Sequence, residues 1–513
     1  MLRWLLLAVV AAPLLAADGT GEPRAPLASV GKIDDLVVAR WKELGIQPAD
    51  RSSDAVFLRR AYLDIIGTLP TAKEAATFLA DSDPHKRGDL IDKLLAREEF
   101  GDYWAMKWSD LLRVKAEFPV NLWPNAAQAY SHWIRGAVRG NQPYDQFART
   151  LLTENGSNFR DPPVNFYRAM QNRKPEGIAQ TVALTFMGMR ADRWSKERLD
   201  AMAGFFSEVG FKETGEWKEE IVFFKPATPP PTVLTFPDGT QAHLAPGQDP
   251  RQIFADWLVS PKNPYFARAI VNRIWYWLNG RGIVQEPDDL RPDNPASNPE
   301  LLSYLERELV ASHYDLKHIF RLILNSTTWQ LSSVPRTASE PATANFASYP
   351  LRRLDAEVLI DAICQISGLG ESYTSSIPEP VTFMPDNQRA IALPDGSISS
   401  SFLELFGRPG RDTGMESERN NRFTDAQRLH LLNSTQIQRK IQQGPNVQAL
   451  MRDNRANPQE LVRQLYLTIL SRYPTDAEFK LVAAHSQAGV AGAQAVQDLA
   501  WALINSSEFL FRH

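Results

Sequence analysis

Phe57-Leu58-Arg59-Arg60-Ala61-Tyr62-Leu63-Asp64-Ile65-Ile66-Gly67-Thr68-Leu69-Pro70-Thr71-Ala72-Lys73-Glu74 reads as a helix, a turn capped by Pro70-Thr71, and a second helix. Thr71 and Glu74 have capping-box spacing, in which a short hydroxyl and a residue three positions on satisfy each other's orphan backbone donors. The same phrase returns near the other end of the chain. An ungapped alignment of residues 57–74 with 461–478 keeps Arg59/Arg463, Tyr62/Tyr466, Leu63/Leu467, Ile65/Ile469, Pro70/Pro474, Thr71/Thr475 and Glu74/Glu478, seven identities in 18 positions. The echo extends to Asp89-Leu90 with Glu99-Phe100 and to Asp498-Leu499 with Glu508-Phe509. Asn325-Ser326-Thr327-Thr328-Trp329 is a partial third copy of its end. Two or three copies are too few for a solenoid, so the echo is shared construction. Between the copies, Asp249 with Gln252 fits another capping box, and Asn298-Pro299 and Asn457-Pro458 place proline at the first helical position. Leu301, Leu302, Leu305 and Leu309 form one apolar stripe, and Leu316, Ile319, Phe320 and Ile323 another. The fold class expected is mainly α.

The 513 residues are 43% hydrophobic and 23% charged, a composition for two or three globular domains. Lys plus Arg number 56 against 60 Asp plus Glu, so no general basic field favours nucleic acid as a partner. The single cysteine, Cys364, excludes an internal disulfide, a Cys-rich zinc knuckle and c-type haem attachment. Eight histidines show no metal-binding spacing, and no P-loop, dinucleotide fingerprint or nucleophile elbow is present. No cofactor and no metal are expected. Arg3 followed by an apolar run from Trp4 to Ala17 reads as a cleaved secretory signal, too short to span a bilayer. The expected organisation is a signal peptide at 1–17, an N-terminal helical domain at 33–224, a Pro-rich linker with a short β-hairpin at 225–248, and a C-terminal helical domain at 249–513. The hairpin rests on Thr232 to Phe236, the turn Pro237-Asp238-Gly239, and Thr240 to Leu244. Ser372 to Ser401 reads as a long loop over the second domain.

Three clusters are candidates for chemistry. Arg59, Arg60, Asp64 and Gly67 form the first, with Arg60 and Asp64 one helical turn apart; an ion pair pinning the helix is the simpler account. The second runs from Asn279-Gly280-Arg281-Gly282 through Glu286, Asp288, Asp289, Arg291, Asp293 and Asn294 to Asn298-Pro299, with Arg273, Trp275, Tyr276 and Trp277 just upstream. Its carboxylates suit a hard cation or acid/base work, or plain capping and ion pairing; its aromatics suit sugar stacking or the core. In the third, Arg408, Arg411, Glu416, Glu418, Arg419, Asn420 and Asn421 crowd together, as an anion-binding set or as a buried Arg-Glu network. Candidate catalytic residues are Asp288, Asp289, Glu416 and Glu418. Candidate ligand-binding residues are Arg273, Arg281, Arg291, Arg408, Arg411, Arg419 and Asn420.

Phe57 to Thr71, followed by Leu94-Leu95 and Tyr103-Trp104, resembles the planctomycete cytochrome-c-associated domain of unknown function. Val271-Asn272-Arg273-Ile274-Trp275, Asn298-Pro299-Glu300-Leu301-Leu302, Tyr314-Asp315-Leu316-Lys317, His430-Leu431-Leu432-Asn433-Ser434 and Glu508-Phe509-Leu510-Phe511 resemble its usual C-terminal partner, also of unknown function. The resemblance implies a secreted protein of planctomycetes or related bacteria, encoded among other exported proteins, and no established reaction. The first family commonly carries a Cys-x-x-Cys-His-x-His segment, whereas here Phe186-Met187-Gly188-Met189-Arg190-Ala191 runs directly into Asp192-Arg193-Trp194. Where its partner often has Cys-Glu-Cys-Glu-Arg, this chain has Met415-Glu416-Ser417-Glu418-Arg419. The joint loss implies that the two regions meet in space. The expected function is an extracytoplasmic, cofactor-free binding or accessory protein linked to polysaccharide capture or processing, with other exported proteins and polysaccharide as partners. The alternative is a hydrolase acting on an acidic or sulfated glycan through loop carboxylates and arginines. No membrane span is expected once the signal is removed.

Overall fold

The Thr71 hydroxyl accepts from Glu74 N at 3.2 Å while Thr71 N donates to the Glu74 carboxylate at 2.9 Å, so the helix Ala72–Ala80 begins where the sequence asks. Thr475 and Glu478 repeat the exchange at 2.7 and 3.3 Å, starting the helix Asp476–Gln487. The computed structural model describes residues 29–487 and 492–513; the expected signal at 1–17 lies outside the described residues. Within them helices dominate and three small sheets complete the fold, which is mainly α. No described helix is long and apolar enough to cross a membrane.

The echo is structural. Gly67 and its counterpart Ser471 both adopt left-handed backbone, with φ of 59° and 61°. In the first copy Arg97 joins Glu74 and Glu99 and lies over the Tyr62 ring; in the second Arg472 joins Glu478 and Glu508 and lies over the Tyr466 ring. The same Glu-Arg-Glu clasp is thus rebuilt with an arginine from a different place in the chain. The two copies also touch, because the Arg59 guanidinium donates to Ile469 O at 2.8 Å and Phe509 O at 3.0 Å. Thr475→Ala removes one reciprocal cap and is expected to cost about 1 kcal/mol in urea denaturation; no measurable change would mean that the clasp alone sets this helix start.

Elsewhere the caps hold, with one exception. Asn298 accepts from Leu301 N and Asn457 from Glu460 N, both at 3.1 Å. Asp249 accepts instead from Arg251 N and grips the Arg251 guanidinium at 2.7 Å, so Gln252 is no part of a reciprocal box. The Leu301, Leu302, Leu305 and Leu309 stripe is buried, as are Ile319, Phe320 and Ile323. The expected hairpin pairs Val233–Thr235 with Gln241–His243, and Phe236 beside its turn stacks on Phe205 at 4.7 Å and Trp257 at 4.9 Å. Sequence periodicity missed a second sheet, in which Glu220–Phe224 pairs antiparallel with both Gly156–Ser157 and Val209–Glu213.

The N- and C-terminal halves share one continuous apolar core. Asp34 accepts from Thr327 N at 2.9 Å and Thr328 N at 3.0 Å, and Trp41 Nε1 donates to Asn345 O at 2.7 Å. The Ser372 to Ser401 stretch straps the halves together rather than covering the second alone. Thr374 and Ser399 bridge its base, Asp395 accepts from Ala116 N at 2.9 Å, and Ser397 accepts from Glu117 N. Arg60 and Asp64 depart from the ion-pair expectation. Arg60 stacks on Tyr349 at 3.8 Å and donates to the carbonyls of Trp329, Leu331 and His513, whereas Asp64 pairs with Arg512 at 2.9 Å.

Candidate functional site: a charged pocket between the halves

The helix Glu98–Leu111 places Tyr103, Lys107 and Asp110 at positions i, i+4 and i+7, one face of a 3.6-residue repeat. That face meets the start of the helix Ala356–Ser367, whose cap position is Asp355. An aspartate there ordinarily bonds its own helix; Asp355 does not, and turns its carboxylate to the opposite half. It accepts from Lys107 Nζ and the Tyr103 hydroxyl at 3.0 Å, from Arg512 at 3.2 Å and from Asn421 at 2.7 Å. Burial would lift this carboxyl, but Lys107, Arg512 and Arg419 outweigh burial and hold it well below the usual range. Burial, together with the neighbouring Arg419, also lowers the Lys107 ammonium from its ordinary value.

Behind this centre the third sequence cluster is a network. Arg419 spans Asp110 at 2.7 Å and Glu357 at 2.7 Å, and Arg411 reaches Asp110 at 2.9 Å. Arg408 lies 3.6 Å from Glu357 and donates to the carbonyls of Ile398 and Asp395. Despite burial, which opposes ionisation, Glu357 is brought down to about 2 by Arg419 and Arg408. On another side Asp64 takes Arg512 and the Tyr349 hydroxyl, and Arg352 donates to Trp277 O and Leu278 O, closing the end of the helix Phe266–Asn279. Gly280 is required there: it has φ of 70°, and a Cβ would lie 2.6 Å from the Arg352 side chain.

The second cluster meets the third at Glu416. Trp277 Nε1 donates to the Glu416 carboxylate at 2.7 Å, and Arg273 lies 3.5 Å away. Asp288 takes Arg273 at 2.9 Å with one oxygen and Glu416 N at 2.7 Å with the other. Burial raises the Glu416 carboxyl to about 7; Arg273 pulls it down and Asp288 pushes it up. Arg190 and Met415 meet, with the Arg190 guanidinium 3.5 Å from Met415 Sδ. The juxtaposition expected from sequence is present. A group held by paired thiols does not fit this donor set, because the one thiol, Cys364, sits toward the far end of the helix Ala356–Ser367 beside Lys440 at 3.6 Å.

These groups wall a cavity of about 810 Å³. Six cationic side chains line it, Lys107, Arg352, Arg353, Arg419, Arg422 and Arg512, against the two carboxylates Asp355 and Glu416. Tyr276, Trp277, Phe423 and Phe511 add aromatic surface. Of the candidate catalytic and ligand-binding residues, Glu416, Arg419 and Asn420 line the cavity, as do Tyr276, Trp277, Gly280 and Asn421 from the same clusters, while Arg273, Asp288, Arg408 and Arg411 support its walls. The others lie apart from it. Glu418 closes its own loop by accepting from Asp412 N and Thr413 N, Arg281 pairs with Glu340, and Arg291 pairs with Asp289 and Asp293. Lys107, Asp355, Arg352 and Arg512 were not singled out. The Tyr103/Lys107/Asp110 spacing was the one signal available for that group.

Profiles of two families match the chain. PSCyt2, protein of unknown function (DUF1549), matches residues 32–209, and PSD1, protein of unknown function (DUF1553), matches residues 250–486. No curated protein and no solved structure matches it. The two matches meet across the charged pocket, the first supplying Lys107 and the second Asp355, Glu416 and Arg419. The chain thus carries both of these family domains of unknown function, the PSCyt2 domain followed by the PSD1 domain.

Proposed function

We propose that the chain is an exported binding or accessory protein whose pocket between the halves holds an acidic saccharide. The observation that carries this reading is the set of six cations lining a cavity of about 810 Å³, of which Arg353 and Arg422 pair with no carboxylate among the described residues, within a protein whose net charge is -4. A cavity of that size suits a small ligand, and low-dielectric walls concentrate the local positive field. Guanidinium groups match carboxylate and sulfate in geometry, while the partly exposed Tyr276 and Phe423 offer faces for a sugar ring. Export rests on the Arg3 to Ala17 pattern, and linkage to polysaccharide on the ligand chemistry.

Arg422 tests the reading without endangering the fold, since it is exposed and lies at the cavity edge. Calorimetric titration with short uronic or sulfated oligosaccharides is expected to show binding that weakens with salt. Arg422→Ala should weaken it about tenfold, the loss of one charge-assisted contact. Absence of binding to wild-type protein by every acidic oligosaccharide would end the proposal.

A second reading, hydrolysis, is favoured by one observation. Glu416 is raised to about 7 while Asp355 is held ionised in the same cavity, the divergence that separates a proton donor from a fixed charge. It requires product release from an acidic glycan that disappears in Glu416→Gln while oligosaccharide binding persists.

A further inference from the structure

Away from this pocket, the turn between strands Val209–Glu213 and Glu220–Phe224 carries Trp217, whose surface is 73% exposed. A tryptophan gains most from leaving water, so an indole held in solvent is unexplained by folding. The turn is built rather than loose. Thr214 Oγ1 donates to Glu219 at 2.7 Å, Glu216 N to Thr214 Oγ1 at 3.1 Å, and Asn158 Nδ2 to Lys218 O at 3.0 Å. Trp123 meets Trp217 edge to face, with ring centroids 6.1 Å apart and planes at 88°. Lys218 Nζ stands 4.7 Å from the Trp123 ring centre and 5.1 Å from that of Trp217. Both Trp123 and Lys218 have positive φ, 71° and 59°, a costly backbone state for residues with side chains. Two strained residues therefore hold an indole corner with an ammonium beside it, at the surface and in one geometry.

We propose that Trp217, Trp123 and Lys218 form a surface subsite for an acidic glycan chain. One sugar ring lies against the open Trp217 face, and its carboxylate or sulfate pairs with Lys218. Rings at right angles form a corner for a puckered sugar and give no parallel slot for a planar base. The ammonium selects a ligand that is both ring-shaped and anionic. The subsite shares its ligand class with the pocket reading but stands on separate residues, so either can fail alone.

The full chain is run through native gels containing dextran sulfate, polygalacturonate or neutral dextran, beside a gel without polymer. The acidic polymers are expected to retard wild-type protein. Trp217→Ala should lose at least tenfold in apparent affinity with unchanged Tm, and Lys218→Gln should lose the preference for acidic over neutral polymer. Lys262→Gln, which removes an exposed cation belonging to neither site, should keep its retardation. Equal retardation of Trp217→Ala and wild type, no retardation of wild type by any acidic polymer, or preferential retention by single-stranded DNA would each overturn the proposal. If short oligosaccharides fail to bind the pocket while Trp217→Ala abolishes polymer retention, the subsite stands and the pocket reading falls.

Discussion

Asp355→Ala is expected to destabilise the protein by about 3 to 5 kcal/mol in guanidinium denaturation, the range found when one partner of a buried charge cluster is removed. The Asp355 side chain is 1% exposed and takes hydrogen bonds from Lys107, Tyr103, Arg512 and Asn421. Its removal leaves Lys107 without its ion-pair partner in a low-dielectric space, facing an Arg512 that keeps only Asp64. This does not make the cluster a large net stabiliser, because desolvating its members already offsets much of their attraction. The asymmetry lies in the deletion. Asp293→Ala is the control: its side chain is 73% exposed and pairs with Arg291 in solvent, so its removal should change stability by about 0.5 kcal/mol or less. Equal effects from the two variants would refute the account of a buried charge centre.

The other large expectation concerns pH. Burial raises the folded Glu416 carboxyl from 4.5 to about 7, with Arg273 opposing and Asp288 adding to the rise. The folded state therefore binds this proton more tightly than the unfolded chain. The associated stability is fully present below about pH 4.5 and is lost as pH rises through 7, up to about 3 kcal/mol. Asp361, raised to about 6 chiefly by burial, and His513, lowered to about 4 chiefly by burial, also titrate near this window. The useful quantity is therefore the difference between wild type and Glu416→Gln, in which those contributions cancel. The variant should gain on wild type between pH 5 and pH 8 by up to about 3 kcal/mol; parallel pH profiles would show that Glu416 is already ionised at pH 5.

The residues legible in the sequence are those whose partners are near in the chain. Thr71 with Glu74, Asn298 with Leu301 and the stripe from Leu301 to Leu309 declare themselves because capping and helical periodicity act over three to eight positions. The 57–74 and 461–478 echo was equally plain, although its docking through Arg59 was not. Glu416 and Arg419 stood out because charges were crowded locally, and their meeting with the Arg190 region followed from a shared departure from relatives. Asp355 with Lys107 and Asp64 with Arg512 left no such trace. Their separations along the chain run to hundreds of residues, and each residue looks ordinary in its own segment. Asp355 resembles a helix cap, and Asp64 resembles half of an i, i+4 pair with Arg60. Three-dimensional packing assigned both carboxylates elsewhere, which is why local spacing named the wrong partner for Asp64.

Arg512 lies in a two-residue strand paired with Arg352–Arg353 and inserts between Asp64 and Asp355. The ribosome makes Asp64 early and Arg512 late, and at ordinary elongation rates the interval is on the order of tens of seconds. Until Tyr349 and Arg352 are made Asp64 lacks these partners, and until Arg512 is made it lacks its closest ion pair. Only when synthesis reaches the Phe511–Arg512 strand does the cavity acquire the wall that Arg512 supplies.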